Sequence, residues 1–331
     1  MAAINLLYAT KVNLGGWATF TVHLYHLLRA AGHDVQLLKF GNNTETFTRP
    51  FGNHGVHYRN IAPDQMGNEF VGCLNIVAAL GKHYVAAVGP LLNMSNTGIV
   101  VHDTAESTNR MDIRRPWVIR KALAPLFSDS VFIRHPYMPH YDISEAGPPL
   151  PMAKRRGLVA TSRVDFDKNT TMILDANRLG ANVDIVGFEN RLYTKFKVMP
   201  NYPEWVQSPG THPRSGEASF QRLVSARAMV DLTDIKGDGG GTQYTFLEAW
   251  DAGAVPVIGA WWYRVKDDMV PAQNCLIVED AVGLAALAKK VRGKTILPQL
   301  EELAAKGRAR LKKYHGPKAI APQVVEWLEE L

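Results

Sequence analysis

Apolar positions along this chain recur with two periods, and their alternation predicts a repeated strand and helix order. Residues 4–9 form a short apolar run, and Phe20, His23, Leu24, Leu27 and Leu28 then recur at helical spacing. Gly32 ends that helix, and residues 35–40 read as the next strand. Residues 41–67 are polar and turn-rich, with room for one short strand. The pattern over 72–80 predicts a weak helix and that over 84–88 a short strand. Residues 98–102 (GIVVH) are a clear buried strand that delivers His102 and Asp103 at its carboxyl end. Another strand at 131–133 opens onto Arg134, His135 and Tyr137.

Residues 147–156 (GPPLPMAKRR) can continue neither a helix nor a central strand, so they predict a domain boundary. The second half restarts with a strand at 157–160, followed by Thr161, Ser162 and Arg163, with Lys168 five residues after the arginine. A helix over 170–178 and a strand over 183–186 follow, the latter ending in Gly187. Residues 201–214 read as loop, 217–227 as helix and 229–232 as strand. Beyond them the chain places Gly237, Gly239, Gly240 and Gly241 ahead of Thr242 and a helix carrying Glu248, then a strand at 255–259. A short strand at 276–278 and helices over 281–291, 297–314 and 320–331 complete the chain.

The 331 residues suit two domains, and 46% hydrophobic with 21% charged residues is ordinary for a globular protein. Neither Cys73 nor Cys275 has a neighbour at metal-ligand spacing, and no divalent metal site is evident. Residues 1–10 lack the basic start and cleavage site of a signal peptide, and no apolar run approaches the ~20 residues of a membrane span. A cytoplasmic location follows as the expectation, with no membrane association. The net charge of +6 leans towards a polyanionic partner.

Candidate chemistry gathers at strand ends. Glycines before a helix let backbone amides converge on an anion, and a glutamate on the following helix can accept hydrogen bonds from a ribose. The alternative is an ordinary crossover with a solvated Glu248. Gly15 and Gly16 form a similar turn after the first strand, without the G-x-G-x-x-G spacing of a nicotinamide site. Asp103 can take a proton from an acceptor hydroxyl or steady positive charge on a sugar; it can equally cap a helix. Arg163 and Lys168 can neutralise a diphosphate leaving group, or form a surface pair. Arg110, Arg114, Arg115, Arg120 and Lys121 around Trp117 can track a phosphate backbone, or line a solvated helix.

Taken together, the glycine pair of the first turn, Gly32-His33-Asp34-Val35, His102-Asp103, Ser162-Arg163 with Lys168, and Tyr244-Thr245 with Leu247-Glu248 leading into Ala-Gly-x-x-Pro-Val resemble the nucleotide-sugar glycosyltransferases of the GT-B fold, retaining branch. Within that fold they are similar to the DNA α-glucosyltransferases of T-even phages, which glucosylate 5-hydroxymethylcytosine in duplex DNA. Where many retaining relatives carry two glutamates eight positions apart, this chain has Gly240 and Glu248.

The resemblance implies an α/β chain of two doubly wound Rossmann-like domains facing a central crevice. Residues 1–147 would bind the acceptor, 157–315 the nucleotide sugar, and the helix at 316–331 would return to the first domain. It implies catalysis by Asp103 with His102 alongside. Donor binding would fall to Gly15, Gly16, Ser162, Arg163, Lys168, Gly241, Thr242, Tyr244, Thr245 and Glu248. Arg110, Arg114, Arg115 and Arg134 would face the acceptor, duplex DNA. The co-substrate would be a nucleoside-diphosphate sugar, UDP-glucose foremost, with no bound cofactor and no metal. A monomer is implied, in the host cytoplasm for a phage-encoded chain. Two other readings remain open: a glycosyltransferase acting on a small molecule, lipid carrier or polysaccharide, and a catalytically silent nucleotide-sugar or nucleic-acid binding protein.

Overall fold

The first strand, β1 (Ala3–Ala9), buries its last six residues, so both of its faces must be covered, as in the parallel sheet of an α/β protein. The computed structural model describes residues 2–11, 15–41, 48–51, 55–62, 65, 69–103, 113–139, 149–206, 216–235, 240–265 and 267–331. The chain divides into two units, one of Met1–Tyr141, Lys236–Gly241 and Lys312–Leu331 and the other of Asp142–Ile235 and Thr242–Leu311.

In the first unit β1 is followed by α1 (Gly16–Ala30), β2 (Asp34–Phe40), β3 (Arg49–Pro50), β4 (His57–Ile61), β5 (Leu74–Leu80), α2 (Val85–Leu92), β6 (Thr97–Val101), β7 (Trp117–Val118) and β8 (Val131–Phe132). The sheet order is β3-β4-β2-β1-β5-β6-β7-β8, parallel except for the β3–β4 pair. The chain builds outward from β1 in one direction and from β5 in the other. The carboxyl ends of β1 and β5 therefore form a switch point, where open α/β sheets bind ligands.

Two sequence expectations are corrected here. Residues 74–80 are a strand where a helix was expected, and residues 85–92 a helix where a strand was expected. The run NIVAAL is buried on both faces, and an unbroken apolar run has no period by which strand and helix can be told apart. Asn75 fixes the strand instead. Its side chain accepts at 3.1 Å from Asn5, its register partner on β1, and donates to the Phe70 carbonyl at 3.0 Å.

An aromatic cluster joins this sheet to the C-terminal helix, Pro317–Glu329. Phe20 of α1 packs edge-on against His102 (centroids 4.7 Å apart) and Trp117 (5.3 Å), and Trp117 packs against Trp327 (5.5 Å). The Trp327 indole donates to the Arg115 carbonyl at 2.9 Å. As expected, the C-terminal helix belongs with the first unit. Gly98 makes the fit possible, because a Cβ there would stand 2.3 Å from the Trp327 ring.

The second unit repeats the design with β9 (Leu158–Ala160), α3 (Thr170–Arg178), β10 (Val183–Ile185), α4 (Gly216–Ser225), β11 (Ala228–Asp231), α5 (Tyr244–Ala252), β12 (Val255–Gly259), β13 (Leu276–Val278), α6 (Ala281–Arg292) and α7 (Leu297–Tyr314). Its five strands are parallel in the order β10-β9-β11-β12-β13, with the switch point between β9 and β11. Gly253, at φ 70, ends α5 in the left-handed conformation that favours glycine. No helix among the described residues is long and apolar enough to cross a membrane.

Two predictions follow from the aromatic cluster. Gly98→Ala is expected to cost about 1–3 kcal/mol through overpacking against Trp327. Combined with Trp327→Leu it should cost clearly less than in the native background, as urea unfolding of the four proteins would measure. The second concerns His102, whose pKa burial lowers to about 4; proximity to Arg120 adds to this, while its bond to the Ala78 carbonyl and Asp103 oppose it. Between that value and the usual ~6.5 of an unfolded histidine, the unfolded chain binds more protons, so stability rises with pH across the window and falls on acidification. The loss from pH 6.5 to 4 is about 3 kcal/mol at most. Unfolding of wild type and His102→Gln at several pH values should show a shallower slope for the variant.

Candidate functional site

Asp231 is the last residue of β11, and its carboxylate has no solvent exposure. A buried carboxylate is costly unless it is hydrogen-bonded, and here three donors converge on it. Its Oδ1 accepts from the Thr233 backbone N–H at 3.0 Å and from the Thr233 hydroxyl. Its Oδ2 accepts from the Thr245 hydroxyl of α5 at 2.5 Å. The Lys168 ammonium donates to the Thr233 hydroxyl at 2.8 Å. One chain of bonds thus runs Lys168–Thr233–Asp231–Thr245 across the carboxyl side of β9 and β11, at the switch point.

The surrounding loops are pinned to the same place. The indoles of Trp261 and Trp262 both donate to the Thr233 carbonyl, at 2.8 and 2.7 Å. Asn169, left-handed at φ 46, donates to the Leu232 carbonyl at 2.9 Å and to Asp234 at 2.6 Å. Gly187 follows β10 because no side chain fits there: a Cβ would lie 1.7 Å from the Ser162 carbonyl oxygen. The Thr161 hydroxyl is buried beside Ser162 with no hydrogen-bond partner among the described residues.

A second buried carboxylate anchors the start of α5. Asp268, 1% exposed, accepts from the Thr242 hydroxyl and from Arg310 at 3.1 Å. Arg310 also reaches the Asp267 carbonyl at 2.9 Å. The hydroxyls on either side of the first turn, those of Thr242 and Thr245, are therefore held by aspartates, and Gln243 at the N-cap gives no side-chain cap. The Phe246 N–H donates to the Gln243 carbonyl at 3.0 Å, and in general the dipole and N–H groups at a helix start favour an anion. Glu248 lies one turn on, half-buried, and Tyr244 has its hydroxyl pKa pushed well above the ordinary value by burial, with Glu248 adding to the shift.

The other candidate donor residues are placed differently. Arg163 is ion-paired to Asp165 at 3.1 Å, with its side chain 45% exposed, so its charge is partly committed where the sequence left it facing a ligand. Ser162 is buried. Gly241, at φ 136, groups with the first unit, where a Cβ would meet the Arg120 stem at 3.2 Å. Gly15, at φ 81, and Gly16 also belong to the first unit and open α1 without a side-chain cap.

In the first unit His102 and Asp103 follow β6 directly. The His102 Nε2–H donates to the Ala78 carbonyl at 2.8 Å, which fixes the tautomer; burial keeps the ring neutral. Asp103 is half-buried beside it. Arg114 is exposed. Arg115 is ion-paired to Glu330, and its backbone N–H donates to Asp129 at 2.8 Å. Arg134 lies between the rings of Phe132 (5.4 Å) and Tyr314 (4.9 Å). Arg110 lies outside the described residues.

Sequence reasoning missed Asp231, Thr233, Trp261, Trp262, Asp268 and Arg310 as parts of this site. The visible signal was a carboxylate at the end of an apolar strand, the same signal that drew attention to Asp103. Among the described residues no group of three or more His, Cys, Asp or Glu side chains is placed to hold a metal ion.

No protein-family model and no curated protein matches the sequence. Solved structures match it over its whole length. Anabaena Alr3699/HepE in complex with UDP and glucose is 11% identical, covers 100% of both chains and gives a TM-score of 0.70. An alpha-glucosyltransferase in complex with UDP is 12% identical over 99% of this chain and 100% of that one, with a TM-score of 0.71. An alpha-glucosyltransferase in complex with UDP and a 13-mer DNA containing a HMU base is 12% identical over 99% of each chain, with a TM-score of 0.71. The chain is α/β with two mostly parallel sheets and has the fold of these proteins, the GT-B fold.

Proposed function

We propose that this protein is a glycosyltransferase that moves glucose from UDP-glucose to a hydroxyl acceptor, the acceptor being a 5-hydroxymethylpyrimidine base in duplex DNA. The observation that carries this reading is the full-length match to alpha-glucosyltransferases bound to UDP and to DNA containing a HMU base. The bonded chain from Lys168 to Thr245, at the switch point of a sheet, supports it from this chain's own residues.

In the reaction the acceptor oxygen forms a bond to the sugar C1 while the bond from C1 to the diphosphate breaks. The leaving diphosphate gains negative charge, and a cation and oriented amides aimed at it stabilise that change. Lys168 is the cation assigned to it, with Ser162 and Arg163 alongside. The backbone N–H groups near 242–245 take the distal phosphate. Glu248 holds the ribose, with Tyr244 a neutral phenol packed against it. Gly15 and Gly16 supply a second amide-lined turn to the donor. Asp103 takes the acceptor proton, or steadies the positive charge on the sugar while the departing diphosphate oxygen takes that proton, and the neutral His102 ring supports it without titrating near pH 7.

For the acceptor, Arg114 is, among the described arginines of the candidate set, the one best placed to meet phosphates, since Arg115 is paired with Glu330 and Arg134 lies over the Phe132 and Tyr314 rings. Those commitments favour a second reading, in which the acceptor is a small molecule, lipid carrier or polysaccharide. Alr3699/HepE, bound to UDP and glucose, matches the chain as fully as the DNA-bound enzyme.

Incubation with UDP-glucose and hydroxymethylated duplex DNA, followed by mass spectrometry of the nucleosides, tests the main reading. The expected product is a glucosylated hydroxymethylpyrimidine; transfer only to non-nucleic acceptors would establish the second reading instead. Asp103→Asn keeps the shape and removes the charge, so turnover is expected to fall on the order of 10²–10⁴ with UDP affinity retained. Normal turnover in a stable variant would remove Asp103 from the chemistry. DNA affinity should fall steeply with salt, and Arg114→Ala should flatten the log–log slope by about 0.9 if it contacts one phosphate.

A further inference from the structure

We infer that Thr233 is a positioning residue that aims the Lys168 ammonium at the donor diphosphate; the inference rests on the donor assignment above. Every polar atom of Thr233 is already engaged inside the protein. Its N–H donates to Asp231 Oδ1, and its carbonyl oxygen accepts both indole N–H groups, from Trp261 and Trp262. Its hydroxyl has one proton. Asp231 is a carboxylate that can only accept, so that proton goes to Asp231, and the hydroxyl oxygen in turn accepts from Lys168 at 2.8 Å. Thr233 is 4% exposed and has nothing left to offer a ligand.

The consequence falls on Lys168. An ammonium on a flexible four-carbon stem has three donors and no fixed direction. Here one N–H is spent on the Thr233 oxygen, and the other two are turned away from it. The direction is inherited from Asp231, because the Thr233 hydroxyl rotor is set by the carboxylate. That carboxylate also holds the Thr245 hydroxyl in the first turn of α5, 14 residues along the chain. The cation and the helix start are thereby set by one buried group. If the rotor is lost, the lysine keeps its charge and loses its aim.

The signature is non-additivity with Lys168, which a merely structural role would not produce. UDP affinity is measured by titration calorimetry for wild type, Thr233→Val, Thr233→Ser, Lys168→Ala and the Thr233→Val, Lys168→Ala pair, with melting temperatures alongside. Thr233→Val keeps the volume and deletes the hydroxyl, and is expected to weaken UDP binding about tenfold. Thr233→Ser keeps the hydroxyl and should bind within about twofold of wild type. In the Lys168→Ala background, Thr233→Val should cost less than about twofold. Should the valine variant not fold, Thr233→Cys, of similar size with a poor acceptor, takes its place in the same cycle. A hydroxyl deletion that costs the same factor with and without Lys168, or none at all, overturns the inference while leaving the donor site intact. Unchanged UDP affinity in Lys168→Ala overturns the donor assignment and the inference with it.

Discussion

A fully buried carboxylate at the end of a central strand constrains everything around it. Asp231 is shut off from bulk solvent, and burying such a charge costs several kcal/mol unless neighbours supply donors. The donors come from β11's own continuation, Thr233, and from the first turn of α5, Thr245. Both segments must return to the same point, so the loop leaving β11 cannot wander. The two indoles on the Thr233 carbonyl and Asn169 on the Leu232 carbonyl hold that loop from the β12 and β9 sides. A site shaped by several loops gains the rigidity of a single element.

The same economy explains which glycines matter. Gly187 lets the loop after β10 pass under the Ser162 carbonyl, and Gly98 lets Trp327 lie on β6. Neither needs an unusual φ; each needs the absence of a Cβ. The glycine-rich run has freedom of φ, and Gly240 and Gly241 do take positive values. The close approaches at Gly187 and Gly98 are set by tertiary packing, which a single sequence does not display.

Much of the fold was legible. The strand and helix order of the second half follows the change of hydrophobic period, and the helices at 170–178 and 297–314 and the strand at 255–259 fall where the pattern put them. The failure at 72–88 has a physical cause, since a strand buried on both faces loses the alternation that marks a half-buried one. Of the candidate site, the sequence marked Lys168, on the loop after β9, and Glu248, on the helix after the glycine run, because both stand next to recognisable loop signals. Its buried supports were not so marked. Asp231 and Thr233 sit in an apolar strand exit, and only the folded chain brings Thr245 and Lys168 to them.

The charge balance around α5 limits what the first turn can do. Thr242 and Thr245 give their hydroxyl protons to Asp268 and Asp231, so neither hydroxyl can donate to an anion. What remains for a phosphate is the set of backbone N–H groups, whose combined dipole is equivalent to about half a positive charge. Two buried carboxylates stand close by and oppose an incoming anion. Arg310 offsets one of them directly, and Lys168 offsets the other through Thr233. Amides alone would leave a diphosphate facing net negative charge at this point. On the proposed donor assignment the lysine serves twice, balancing Asp231 through Thr233 and meeting the leaving group, and the threonine between them lets one cation do both.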